Sequence, residues 1–96
     1  MRRAAKIDTN QPAIVRALKA CGCTVTSLAP IGAGCPDLLV GYRGENHLLE
    51  VKDGERVPSA KRLTEDELDW HTTWRGKVRV VESVDEALRA VGVRHD

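Results

Sequence analysis

The chain has 96 residues and a formal charge of +1. That length supports one domain around one modest core and leaves no room for a separate regulatory module. A composition of 42% hydrophobic and 30% charged residues is that of an ordinary soluble globular protein. The near-neutral balance argues against a protein that holds nucleic acid by bulk electrostatics alone. No apolar run approaches the ~18 residues a membrane span needs.

The pattern predicts a first helix over residues 9–21. Asp8 or Thr9 is placed to cap it, and Pro12 falls in the first turn, where proline is tolerated. Ile14, Leu18 and Cys21 form one apolar stripe with Val15 beside them, and Gly22 is a natural stop. Residues 23–28, "CTVTSL", alternate as a short strand does. "APIGAGCP" reads as a loop. "DLLVGY" and "HLLEVK" then read as two strands joined through "RGEN" into an antiparallel hairpin. The polar stretch "DGERVPSAKR" reads as a mobile connection. A second helix begins at Thr64, where Glu67 three residues on completes a capping box, and Gly76 ends it. Leu68, Trp70 and Trp74 are its apolar surface. "VRVVES" is the fourth strand, and a last helix runs from Ser83, with Glu86 three residues on, to Gly92. Helix, three strands, helix, strand, helix is an α/β layout, with helices on a mixed sheet of about four strands.

With two Trp, one Tyr and no Phe, the core falls to Val, Leu, Ile and Ala. The basic residues cluster: Arg2, Arg3 and Lys6 at the start, Arg56, Lys61 and Arg62 after the hairpin, and Arg75, Lys77 and Arg79 before the fourth strand. Three cysteines with no secretory signal point to a reducing cytoplasm. Cys21 and Cys23 with a distant Cys35 lack zinc-site spacing, so structural cysteines are expected.

The hairpin carries the chemistry. Glu50 and Lys52 share one face of the second strand, with Val51 on the other. In a hairpin the end of the second strand lies beside the start of the first, so Asp37 is brought to Glu50 and Lys52. Two carboxylates placed together need positive charge between them. Lys52 supplies some of it. A hard divalent cation such as Mg²⁺ suits carboxylate oxygens better, and the Val51 carbonyl adds a further oxygen. Such a set suits phosphodiester hydrolysis, with Lys52 orienting water or stabilising the transition state. The competing reading is a salt bridge at a sheet edge. Against it stand Asp37 after Pro36, the αβββαβ order, and the fact that Glu50, Val51 and Lys52 make the one acid-x-Lys triplet in the chain.

These residues resemble the PD-(D/E)XK nuclease superfamily. Pro36 and Asp37, then Glu50, Val51 and Lys52, match its motif in order and spacing. "NQPAIVRALKACG", "GCPDLLVG", "LLEVKDG", "LTEDELDWH" and "VVESVDEAL" are similar to short phage and bacterial proteins of the VRR-NUC type, related to Holliday-junction resolvases, across about residues 8–92. The resemblance implies a restriction-endonuclease-like fold and a Mg²⁺- or Mn²⁺-dependent DNA endonuclease. It also implies branched or flapped substrates, a role in replication or repair, and a homodimer in a bacterial or phage-infected cell. It makes Asp37, Glu50 and the Val51 carbonyl metal ligands and Lys52 the catalytic lysine. Relatives carry a Glu on the first helix, where this chain has Asn10 or Gln11. They also carry a Gln where Glu67 stands, although the capping box is the firmer expectation for Glu67.

Lys61, Arg62 and Arg43 are candidate phosphate contacts, with a solvated loop as the alternative for the first two. For His71 a helix-surface position beside the tryptophans is expected rather than a DNA contact. "GAG" at 32–34 lacks the features of a phosphate-cradling loop and serves to turn the chain before Asp37. The alternative to an endonuclease is a nuclease-fold protein that binds nucleic acid without cutting it. A purely structural domain with a salt-bridged hairpin is a third.

Overall fold

The computed structural model describes residues 8–93. Helix α1 spans Gln11–Ala20 and buries Ile14 and Leu18, one turn apart. The expected side-chain cap is absent. Asn10 occupies the cap position without a capping bond, and the Gln11 N–H donates to the Asp8 carbonyl. Asp8 and Thr9 are drawn elsewhere, Thr9 donating its hydroxyl to Asp53 at 2.9 Å. Gly22, at φ 91°, lets the chain reverse into β1, Thr24–Ser27.

The loop that follows holds a 3-10 turn, Ala29–Ile31. Strands β2, Leu38–Tyr42, and β3, Glu45–Val51, form the hairpin. Its connection is shorter than the four residues expected. Arg43 and Gly44 both take positive φ, 49° and 81°, so a two-residue turn closes the hairpin and Glu45 and Asn46 join the ladder.

The polar stretch after β3 contains a short helix α2, Pro58–Lys61. Helix α3, Glu65–Thr73, opens with the reciprocal Thr64–Glu67 capping box. It ends three residues before Gly76, because Trp74 is already extended. Strand β4, Arg79–Val81, leads to α4, Val84–Val91. Ser83 accepts from the Glu86 N–H, but the Glu86 carboxylate turns to the Glu82 N–H at 3.0 Å, one residue short of a reciprocal box. Gly92 closes α4 at φ 92°.

The sheet order is β1-β2-β3-β4, antiparallel except for the parallel β3–β4 pair. Helices α1 and α4 pack on one face, where Leu38, Val40, Leu49, Val51 and Val81 meet Ile14, Leu18, Leu88 and Val91. Alternation sends Asp37, Leu39, Leu48, Glu50 and Lys52 to the other face. The charges therefore avoid the core. They occupy a second face, partly covered by α3. Among the described residues no helix is long and apolar enough to cross a membrane.

Candidate active site

Register builds the centre. Leu38 pairs with Leu49, so Asp37 stands opposite Glu50. Asp37 accepts a 2.7 Å hydrogen bond from the Val51 N–H and meets the Glu50 carboxyl directly. Both side chains are almost fully buried. Burial raises the Glu50 pKa to about 10, and the adjoining Asp37 carboxyl pushes in the same direction. Burial also raises Asp37, against the hydrogen bonds from Glu50 and Val51. Both shifts favour a proton shared between the two carboxyls.

Lys52 is held on the same face. Its ammonium lies 2.7 Å from Glu67 Oε1 and 3.8 Å from Glu50 Oε2. Burial opposes its charge, but Glu67 outweighs burial and raises its pKa. Glu67 in turn loses to burial and gains more from Lys52 and the Thr64 N–H, so its pKa falls. The same Oε1 accepts from Lys52 and, at 2.9 Å, from Thr64 N–H. The capping box and the site thus share one carboxylate.

Two residues join the site unforeseen. His71 Nε2 lies 3.7 Å from Glu50 Oε1, too far for a hydrogen bond, and both atoms are buried without a partner. His71 packs edge-on beside Trp70, as expected, but α3 turns its ring toward the sheet instead of the surface. Burial lowers its pKa despite Glu67 nearby. Asp8 reaches the same pocket and feels Lys52, although burial is the larger influence and raises its pKa. The sequence held a signal for His71. Glu67, Trp70 and His71 recur at the i, i+3, i+4 positions of one helix face. For Asp8 the only signal was an acid just before the first helix.

The pocket has a volume of about 310 Å³ and is bounded by Asp8, Glu50, Lys52, Glu67 and the loop at 32–35. Gly34, at φ 82°, lies so close to the Asp66 and Glu67 backbone that a Cβ there would clash. The glycine loop therefore does more than turn the chain: it lets the start of α3 press against the site.

The remaining candidates divide. Asn10 donates to the carbonyls of Lys52, 3.0 Å, and Glu82, 3.2 Å, tying α1 to the ends of β3 and β4. Gln11 is buried beside it. Neither borders the pocket, where Asp8 stands instead. Lys61 is paired with Glu82 at 3.1 Å, and Arg62 is exposed. Arg43 sits over the Tyr42 ring at the hairpin turn, the far end of β2 and β3 from Glu50. Arg2, Arg3 and Lys6 lie outside the described residues. All three cysteines are unbridged.

Among the described residues no three His, Cys, Asp or Glu side chains converge tightly enough to form a metal cage. Asp37 and Glu50 fit a less demanding site. Mg²⁺ takes one or two carboxylates and keeps several waters. Two acids forced together, with Glu50 Oε1 buried and unpartnered, are what a cation would relieve.

No family model matches the sequence, and no curated protein does. A solved structure described as a VRR_NUC domain does match, with 30% identity and a TM-score of 0.60 over 82% of this chain and 86% of that one. A mixed four-stranded sheet flanked by helices agrees with a restriction-endonuclease-like fold of this kind. With the fold, the identity and the coverage in accord, the chain belongs to the VRR-NUC family and is a nuclease-type domain.

Proposed function

We propose that this chain is a Mg²⁺- or Mn²⁺-dependent DNA endonuclease that hydrolyses phosphodiester bonds. Its preferred substrates are branched or flapped DNA met in phage or bacterial replication and repair. One observation carries the reading: Asp37, Glu50 and Lys52 meet on one face at one end of the sheet, beside an open pocket. Asp37, Glu50 and the Val51 carbonyl would hold the cation. When bound, it supplies positive charge to the phosphoryl oxygens and eases deprotonation of the attacking water. Lys52 stands in the pocket as a fixed positive charge for the pentavalent transition state. Glu67 positions Lys52 and keeps its ammonium protonated. A homodimer would duplicate the site for paired incision of two strands.

The test uses labelled duplex, flap and four-way-junction DNA with Mg²⁺, Mn²⁺ or EDTA, comparing the wild type with Lys52→Ala and Asp37→Asn. Cleavage by the wild type alone, abolished by EDTA, is the expected result. Binding without cleavage by all three proteins would leave a nucleic-acid-binding module in its place.

A further inference from the structure

The half of the second sheet face that α3 leaves open has its own chemistry. Trp70 and Trp74 are stacked, with ring centroids 4.5 Å apart and planes 17° from parallel. Trp70 covers one face of the Trp74 indole, yet Trp74 remains 48% exposed. Gly76 holds the ring close: a Cβ there would come within 2.8 Å of the indole nitrogen. The two rings, with Leu39 and Leu48 of the sheet, line a cavity of about 640 Å³.

This cavity shares lining residues with its neighbours. Cys35 borders both it and the candidate active pocket. Asn46, Leu48 and Lys77 border both it and a groove of about 610 Å³ whose cations are Lys77, Arg79 and Arg89. None of the ion pairs among the described residues engages Lys77 or Arg79. Lys77 is the cation that borders the aromatic platform, whereas Arg79, paired with Leu49, belongs to the α4 side of the sheet.

We infer that this surface is a track for an unpaired DNA strand, with a nucleobase stacked on Trp74 and the adjoining phosphate lying on Lys77. The inference rests on the endonuclease reading and adds the substrate feature that reading lacks, a single-stranded arm next to the cut. A base in the interior of a duplex has both faces covered and cannot stack on an indole, whereas an unpaired base can. Stacking accepts any base, so the track selects strand structure rather than sequence. Lys77 gives the backbone local charge that the near-neutral chain lacks as a whole.

Trp70 and Trp74 are the two tryptophans of the chain, so all indole emission reports on this platform. The protein is titrated in EDTA, where nothing is cut, with a thymidine oligonucleotide and with a blunt duplex of equal length. Saturable quenching by the single strand is expected, with little from the duplex. Trp74→Ala should weaken single-strand binding about tenfold, the loss typical of one base–aromatic stack. Duplex binding should stay within about twofold of wild type, and Trp74→Phe should keep most of the single-strand affinity. Lys77→Ala should lower the salt dependence by about one phosphate contact. Equal quenching by both DNAs, or unchanged single-strand affinity in Trp74→Ala, overturns the track. So does sedimentation showing that Trp74→Ala turns a dimer into a monomer, for then the platform faces a second copy. Binding is read without cleavage, so an inactive protein that still discriminates would sink the endonuclease reading and spare the track.

Discussion

Replacing Glu50 with glutamine keeps the shape of the side chain and removes its proton equilibrium. In the unfolded chain this carboxyl ionises near 4.5, whereas in the native state it holds its proton to about 10. Between those values the unfolded state binds fewer protons than the native state, so stability falls as pH rises. At pH ~7.5 the gap spans about three pH units at ~1.4 kcal/mol each, a ceiling of about 4 kcal/mol. Asp37 shares the proton, so the pair titrates together and only part of the ceiling belongs to Glu50. Half of it, about 2 kcal/mol, would raise the Tm of a domain this size by roughly 8–16 °C. Glutamine can still donate to Asp37. The assay is thermal unfolding by circular dichroism in EDTA, from about pH 4 to pH 9, for wild type and Glu50→Gln. The variant should be the more stable protein near pH 7.5, and its advantage should vanish near pH 4. Under the proposed function it should also be the less active one. A wild type whose stability does not decline with pH, or a variant no more stable at pH 7.5, would refute the buried protonated pair. Added Mg²⁺ should raise the wild-type Tm more at high pH than at low, because the cation must displace that proton.

The double use of Glu67 can be divided. Thr64→Ala removes the acceptor for the Glu67 N–H and should cost about 1 kcal/mol in denaturant titration while leaving cleavage nearly intact. Glu67→Gln keeps an acceptor for Lys52 but removes the negative charge that holds it, and should lower the cleavage rate by roughly tenfold with a smaller stability change, measured in single-turnover reactions. Asn10→Ala leaves the Lys52 and Glu82 carbonyls without their donor and should cost about 2–3 kcal/mol. Its Mn²⁺ affinity by calorimetry should match wild type, whereas a metal-site role for Asn10 would weaken it. Gly34→Ala combines a positive φ with a Cβ driven into the α3 backbone, and a loss of about 3 kcal/mol with displaced cleavage is expected from melts and kinetics together.

The Asp37–Glu50–Lys52 cluster was legible because it needs only local geometry. Side-chain alternation and a hairpin place those residues, and both are written in the β-branched and apolar pattern of the two strands. His71 and Asp8 depend on where α3 and the start of α1 come to rest, which is set by contacts between segments distant in sequence. The inward side of α3 was hidden for a related reason. Leu68, Trp70 and Trp74 are the helix's apolar surface in the sequence, yet Leu68 and Trp74 keep about half their area exposed, and the inward side runs through Glu67 and His71. A helix that covers a polar site hides its face from any rule that equates inward with hydrophobic. Asn10 stands where relatives carry a Glu, and in this structure its amide is used on backbone carbonyls. Nothing local shows that its amide would be spent on two carbonyls from other strands.

The two faces of β3 depend on each other. Leu49 and Val51 are fully buried against α1 and α4, while Glu50 and Lys52 look the other way. A slip of one residue would exchange the sets, sending two ionisable groups into the apolar core and two large aliphatics out of it. Each aliphatic would forfeit about 1.5–3 kcal/mol of burial, and each charge would lose its partner in a dry environment. The register that places Asp37 opposite Glu50 is therefore enforced from the far side of the sheet, by residues that touch no substrate. That separation explains how so small a domain tolerates two carboxyls in contact. The α1/α4 face supplies the stability, and the strain of the acidic pair sits on a face whose helix contributes little to the core. Substitutions at Leu49 or Val51 should accordingly damage the site only through folding, whereas Glu50→Gln should improve folding and damage only the site.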